Sequence, residues 1–297
     1  MSHKIHFISG LPRSGSTLLG AILRQNPRFQ AGMSSPVFNL CSGLIAMMSA
    51  GGEMNLMIQD SQKPNLVRNL FTSYYSDPIF PKNIEVIFDT NRGWCGKLHT
   101  ALDLFPNAKV ICTVRNLAWI MDSLERVFRK NPYENTRLFG PTPHTGSVYG
   151  RVNTLSQPNS LVGSAYLALR EAFYSENSQA LLVVDYELLT RRPHEVMPLI
   201  YEFIDEPWFE HDFDNVEYDA PDFDQAVGAR GLHHVARKVE FKPRKSLLPP
   251  DLFQQYSDQA FWTDLRGSAA KVIAPEQKTK KNEMTDISPM LPKAGVF

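Results

Sequence analysis

The stretch KIHFISGLPRSGSTLLGAIL, residues 4–23, sets the strongest limit on what this chain can fold into. A β-branched apolar run over residues 4–9 enters the glycine turn GLPRSGST, residues 10–17. A segment of helical character follows over 17–24 and stops before Asn26 and Pro27. Strand, glycine turn and helix in that order are the context a phosphate-binding loop requires. Gly10 and Gly15 permit close backbone approach and dihedrals other residues resist. Successive backbone N–H groups then point at an anion, helped by the positive end of the following helix. Ser14, Ser16 and Thr17 add hydroxyls, and Arg13 adds a planar, permanently charged fork suited to phosphate or sulfate oxygens. Gly10, Gly15 and Thr17 have the spacing of a Walker A motif, yet Ser16 stands where that motif needs its lysine. Such a loop can grip a phosphate but is poorly equipped for metal-assisted γ-phosphoryl transfer.

The rest of the chain repeats the alternation. Residues 84–88 (IEVIF), 109–114 (KVICTV) and 180–184 (ALLVV) read as strands, and the second is apolar enough to be buried on both faces. Helices are expected over about ten residues leading to Phe105, and over 117–130, 161–173, 193–204 and about 250–259. Pro198 argues for a kink or a later start in the fourth of these. Residues 34–52, SSPVFNLCSGLIAMMSAGG, suit a loose helix over the active face. Residues 131–160, rich in Pro, Gly, Thr and Asn, read as a long loop or lid with a short helix. An acidic aromatic stretch over 206–224 precedes a basic one over 229–245. The pattern predicts an α/β, P-loop-containing three-layer fold with a central parallel sheet flanked by helices. One domain is expected over 1–275, with a polar tail over 276–297.

Composition narrows the functions. The 297 residues, 43% of them hydrophobic, support one substantial core. Lys+Arg and Asp+Glu both number 31, so no global basic field draws in nucleic acid, although a locally basic anion pocket remains open. Cys41, Cys95 and Cys112 are odd in number and widely spaced, which fits buried thiols in a reducing compartment rather than a metal cluster or disulfide framework. The start lacks a signal-peptide pattern, and no run reaches the eighteen or so apolar residues of a membrane span. A cytoplasmic location is expected.

A second constellation lies in KVICTVRNLAWIMDSLERV. Arg115 leaves the C-terminal end of a buried strand, where α/β sheets bind ligands. Ser123 follows eight residues later. Each has a bland reading, a surface ion pair for Arg115 and a helix-surface hydroxyl for Ser123, but with the first loop they form a pattern.

Together these segments resemble the sulfotransferases that use 3′-phosphoadenosine 5′-phosphosulfate (PAPS), nearest the tyrosylprotein-type and related bacterial branch through LPRSGSTLL and LFPNAKVICTVRNLAWIMDS. The resemblance covers roughly residues 5 to 205. It implies that PRSGST (Pro12, Arg13, Ser14, Gly15, Ser16, Thr17) binds the 5′-phosphosulfate side of the donor and that Arg115 and Ser123 bind the 3′-phosphate. It also matches the family's strand running into a Tyr-Glu-x-Leu segment, here at Tyr186 within LLVVDYELLT. It implies direct in-line transfer of a sulfuryl group from PAPS to a hydroxyl, with PAP as product and no metal required. GARGLHHVARKVEFKPRK is the counterpart of a late basic loop that closes on the nucleotide, with Arg230, Gly231, Arg237 and Lys238 as candidate contacts. A solvated basic face is the plainer reading of that stretch. The resemblance admits a homodimer.

Two features of the tyrosylprotein type are missing. Its glutamate base has no acidic counterpart in QAGMSSPVF. Its lysine, about fifteen residues before the Phe-Pro-Asn turn, is replaced by Thr90 in FDTNRGW, where Arg92 supplies the nearest charge. A base must reach the acceptor hydroxyl. Asp89, following a strand beside Thr90 and Arg92, is the first candidate, with a low pKa expected from the arginine and a helix cap as its structural alternative. His144 in the PTPHTG loop, His99, Glu53, His233 and His234 are weaker candidates. The catalytic set is therefore Arg13, Asp89, Thr90, Arg92 and His144. An apolar acceptor wall from the long loop and the 34–52 segment favours a small aromatic or lipidic hydroxyl over a long anionic polysaccharide; the acidic stretch could instead bind a cationic peptide, which ranks behind the small molecule. Two other readings compete. A P-loop kinase would use Asp185 and Thr17 around Mg²⁺; a non-catalytic nucleotide-binding module would explain the missing residues.

Overall fold

Alternating apolar runs make strands that bury both faces, and the strands set where every loop ends. The computed structural model describes residues 3–49, 51–81, 83–130, 146–218, 225 and 235–275. Its strands are β1 (Lys4–Gly10), β2 (Phe29–Gln30), β3 (Val86–Thr90), β4 (Val110–Val114), β5 (Leu181–Asp185) and β6 (Lys271–Ile273). They form one sheet in the order β2-β3-β1-β4-β5-β6, with every pairing parallel. The register sets Ile8 opposite Thr90, Gly10 opposite Thr113, and Val114 opposite Asp185. The C-terminal ends of β1, β3, β4 and β5 thus share one edge, where a parallel sheet opens to ligands.

Side chains alternate between two cores, as the period of a strand demands. Phe7, Ile87, Val110, Cys112, Leu181 and Val183 enter one core. It is closed by α2 (Val37–Met47), α4 (Lys63–Tyr75), α5 (Leu98–Leu104), α6 (Leu117–Lys130), α7 (Val148–Ser156), α8 (Leu161–Phe173) and α11 (Pro250–Ser257). Ile8, Val86, Phe88, Ile111, Leu182 and Val184 enter the other, under α1 (Ser16–Leu23), α9 (Tyr186–Arg191) and α10 (Pro193–Ile204). The expected α/β layering, a parallel sheet with helices on both faces, is what the structure shows.

Several local expectations shift. The strand expected over 84–88 runs to Thr90, so Asp89 and Thr90 lie within it. The helix before Phe105 splits into a 3-10 turn, Arg92–Lys97, and α5; Asn91 caps the turn by accepting from the Gly93 N–H at 3.0 Å, the task allowed for Asp89. α10 starts at Pro193 and continues through Pro198. β2, β6, α4 and the short α3 (Glu53–Met57) were not foreseen. Residues 146–160 of the expected lid carry α7; residues 131–145, with His144, lie outside the described residues, as does the tail over 276–297. No described helix is long and apolar enough to cross a membrane.

One buried histidine gives the fold a pH dependence. The ring of His6 on β1 accepts the Lys109 N–H through Nδ1 at 3.0 Å, and burial, then the Lys4 and Lys109 charges, push its pKa down to about 3. The folded value lies below the unfolded one near 6.5, so the stability is complete above that value and declines as pH falls through it. At pH 5 the expected loss from His6 is roughly 2 kcal/mol. His211, pushed down to about 4 chiefly by burial, acts in the same direction. Urea unfolding at pH 7.5 and pH 5 is expected to show a smaller acid loss for His6→Gln than for wild type; equal losses contradict this assignment.

Candidate active site

The β1–α1 turn is held from behind by its own serine. Ser14 is fully buried, and its Oγ hydrogen-bonds the Leu11 carbonyl at 2.5 Å, the Thr113 carbonyl at 2.8 Å and Thr113 Oγ1 at 2.8 Å. It pins the turn to β4 and does not face the cavity; the hydroxyl contact expected of Ser14 is corrected to a structural one. Gly10 sits where a Cβ would lie 2.3 Å from Thr113 Oγ1, so only glycine lets these strand ends meet. Gly15 has φ +96°, and a Cβ there would lie 2.7 Å from Tyr186 Cδ2. Arg13 also adopts a left-handed backbone, φ +61°.

The turn forms one wall of a cavity of about 390 Å³ at the C-terminal sheet edge. Pro12, Arg13, Gly15, Ser16 and Thr17 line it, together with Arg115, Ser123 and Tyr186. Arg115 is buried, its guanidinium 4.4 Å from the centre of the Tyr186 ring, and its Nε has no hydrogen-bond partner. Arg13 Nε donates to Ser123 Oγ at 3.1 Å, so the turn and the middle of α6 meet directly. Burial lowers the Arg115 pKa, and the nearby Arg244 lowers it further. An orphaned guanidinium N–H beside a serine hydroxyl and a second arginine is a donor set for an anion with several oxygens. Gly15→Ala is expected to cost about 1–2 kcal/mol through the left-handed backbone alone, and also to push Tyr186 off Arg115. Thermal unfolding checks it, and an unchanged midpoint contradicts it.

Thr90 and Arg92 line the same cavity at the end of β3, with Ser34. The Thr90 hydroxyl donates to the Gly32 carbonyl at 2.9 Å, so the free donor expected there is already engaged. Asp89 points the other way, fully buried beneath the cavity wall. Its Oδ1 accepts from Trp94 Nε1 at 2.6 Å, and its Oδ2 accepts from Tyr75 Oη at 2.6 Å and from Ser35 Oγ. Burial raises its pKa against these three donors, not the low value expected from Arg92. A carboxylate saturated by three donors and absent from the cavity wall is a brace, not a base; the Asp89 assignment is corrected accordingly.

The late basic stretch does reach the cavity. Residues 213–218 hydrogen-bond with 235–239, through Val216 N to Arg237 O at 2.7 Å, Val235 N to Tyr218 O at 3.1 Å and Val239 N to Phe213 O at 2.8 Å. Beyond that pairing, Glu240, Phe241, Lys242 and Arg244 line the cavity. Lys238 lines the cavity and pairs with Asp214 at 2.7 Å; Arg237 does not line it and donates to Asn215 Oδ1 at 2.8 Å. Arg230, Gly231, His233 and His234 lie outside the described residues. Lys242 and Arg244, in the same basic stretch but outside the four contacts expected from it, line the cavity. So does Glu240, held by Lys242 at 2.8 Å. Glu53 and His99 do not. Asp185, the metal ligand of the kinase reading, caps α9 instead, its Oδ1 accepting from the Glu187 and Leu188 N–H groups at 2.9 and 3.1 Å; burial pushes its pKa up to about 6. Among the described residues no group of three or more His, Cys, Asp or Glu is placed to hold a metal ion.

Comparison with known proteins gives a consistent set of likenesses. The model of the sulfotransferase family matches residues 6–210. A protein-tyrosine sulfotransferase of Drosophila melanogaster is 24% identical over an aligned length of 296 residues, covering 97% of this chain and 51% of that protein. The chain therefore spans about half the length of that relative. Among solved structures, the sulfotransferase domain from the curacin biosynthetic pathway matches with a TM-score of 0.52 at 16% identity, over 87% of this chain and 97% of the other. The mouse sulfotransferase SULT7A1 complexed with PAP matches with a TM-score of 0.50 at 15% identity, over 90% and 86%. These two are likenesses of fold.

Proposed function

Because the chain belongs to the sulfotransferase family, we propose that it transfers a sulfuryl group from PAPS to an acceptor hydroxyl and releases PAP. Arg115 carries this reading. It is buried with an unpartnered Nε, stacked on Tyr186, in the same cavity as Ser123 and the glycine turn. That donor set fits a phosphate monoester, and the flat contact of Tyr186 with Gly15 keeps the guanidinium in place. In this reading the turn is a P-loop of the anion-holding kind, without the lysine that serves Mg-ATP.

PAPS supplies a sulfuryl group already activated by its bond to a phosphate leaving group. The chain's own residues hold and orient. Arg115 and Ser123 take the 3′-phosphate; Arg13, the N–H groups at the start of α1 and the Ser16 and Thr17 hydroxyls take the 5′-phosphosulfate end, where negative charge grows as transfer proceeds. Arg92, on the wall with Ser34 and Thr90, faces the acceptor end and offsets charge on the sulfuryl oxygens. No metal takes part in this scheme. With Asp89 corrected and Glu240 held by Lys242, His144 is the base that the proposal retains, for a proton on the acceptor oxygen.

Leu124, Leu161, Val235 and Phe241 add apolar surface to the cavity, which supports a small aromatic or lipidic acceptor. A peptide tyrosine, itself a phenol, is the second reading, favoured by the name of the Drosophila relative. The test is PAP release from PAPS in the presence of EDTA with a phenol panel, long-chain alcohols and tyrosine peptides. Release with a phenol or lipid alcohol is expected. Conversion of Mg-ATP instead marks a kinase, and PAP binding with no acceptor turned over marks a non-catalytic module.

A further inference from the structure

Asp122 is fully buried on α6, immediately before Ser123, and it does not line the cavity. Successive helix residues project about 100° apart, so Ser123 faces the cavity while Asp122 faces the strap, residues 240–248. The carboxylate is surrounded by donors from that segment. Asp122 Oδ2 pairs with the Arg244 guanidinium at 2.8 Å, and Oδ1 accepts the Leu247 N–H at 2.6 Å. Arg126, one turn along α6, donates to Oδ2 at 2.9 Å and reaches on to the Lys245 carbonyl. Strap residues 244, 245 and 247 are thereby fixed to one buried carboxylate and its arginine partner. The Arg244 guanidinium, also 5.7 Å from the centre of the Trp119 ring, lines the cavity.

A carboxylate taken out of water is costly unless it is paired and hydrogen-bonded. Arg126 on α6 supplies part of this, but the Arg244 and Leu247 donors at Asp122 are present only while the strap is in place. On the cavity side the need is reversed. Burial lowers the pKa of both Arg115 and Arg244; the Arg244 charge lowers that of Arg115 further, the Arg126 charge lowers that of Arg244, and Asp122 acts on both in the opposite sense. Without a negative charge behind the wall, two guanidinium groups facing one space drive each other apart.

We propose that Asp122 is a positioning residue for donor binding: it clasps the 240–248 strap to α6 and holds Arg244 in the cavity beside Arg115 and Ser123, ready for a phosphate monoester dianion. The clasp rests on the PAPS reading given above. It acts before the donor arrives, so its effect falls on affinity for the donor and not on the chemical step.

The test titrates PAP into wild type, Asp122→Asn, Arg244→Met and the double variant, and measures PAPS kinetics with whichever acceptor supports turnover. Asn keeps an oxygen for the Leu247 N–H and removes the charge that holds Arg244. Asp122→Asn and Arg244→Met are each expected to raise the Kd for PAP about tenfold. The double variant is expected to bind no more weakly than Arg244→Met alone, since one mutation already removes what the other does. The KM for PAPS should rise with kcat within about threefold of wild type. Losses that add in the double variant, or a fall in kcat at unchanged KM, overturn action through Arg244. Wild type that binds PAP, with both single variants binding equally well, overturns the clasp alone; wild type that does not bind PAP removes the donor reading itself. If Asp122→Asn does not fold, Arg244→Lys carries the test. A lysine restores a charge that Asp122 can hold and is expected to recover part of the affinity lost in Arg244→Met, whereas equal losses in the two overturn the proposal.

Discussion

Replacing Arg115 with alanine is expected to weaken PAP binding by about 100-fold or more and to leave the free protein as stable as wild type. The two halves of this result have one cause. In the free protein Arg115 carries a buried charge with an unpartnered Nε and a stacking contact on Tyr186, and burial lowers its pKa. Removing it relieves a desolvation cost, while the lost packing against Tyr186 works the other way. With a phosphate dianion present, the same group makes charge-assisted contacts that are roughly twice as strong as neutral ones. An arginine kept for structure behaves oppositely: its loss lowers the unfolding midpoint and leaves ligand affinity untouched. Titration calorimetry and thermal unfolding on the same preparations separate the two, and a stable variant that binds PAP normally contradicts the assignment.

Arg92→Ala is expected to reduce kcat by about 10²- to 10³-fold with the Kd for PAP within roughly threefold of wild type. PAP lacks the sulfuryl group that Arg92 faces in this reading, so binding of the product does not sense the side chain. Its cation is placed on the cavity wall by the 3-10 turn that Asn91 caps, with its backbone carbonyl accepting from Ser9 Oγ at 2.9 Å. Arg92→Lys, which keeps the charge without the fork, should recover part of the rate. A rise in KM for PAPS at unchanged kcat contradicts this role and moves Arg92 to the nucleotide end.

The parts of the site legible in the sequence are those fixed by local rules. A strand, a glycine turn and a helix place residues 10–17 at the sheet edge whatever the rest of the chain does. The apolar run ending at Val114 puts Arg115 at the same edge, and parallel register brings Gly10, Thr113 and Val184 into line. Asp89 was misread by a single boundary. A strand ending at Phe88 leaves Asp89 loose at the edge, but one running to Thr90 sends alternate residues to opposite faces. Asp89 then joins Ile87 on the side of Tyr75 and Trp94, and Thr90 turns to the cavity. The signal was present in Asn91, whose spacing to Gly93 marks a cap after the strand. Ser14 was misread because the three hydroxyls of the turn look alike in sequence; contact with Thr113, a strand away, selects the buried one. The Asp122–Arg244 pair leaves no local trace. It joins residues 122 positions apart with no periodicity between them, and only the folded chain brings them within 2.8 Å.

The most direct test of the central claim is a titration of PAP into the wild-type protein in EDTA, with Mg-ATP titrated in parallel. Saturable PAP binding in the micromolar range without divalent metal is the predicted result, weakened by Arg115→Ala and not reproduced by Mg-ATP. Absence of PAP binding, together with saturable binding of Mg-ATP, contradicts the sulfuryl-transfer reading.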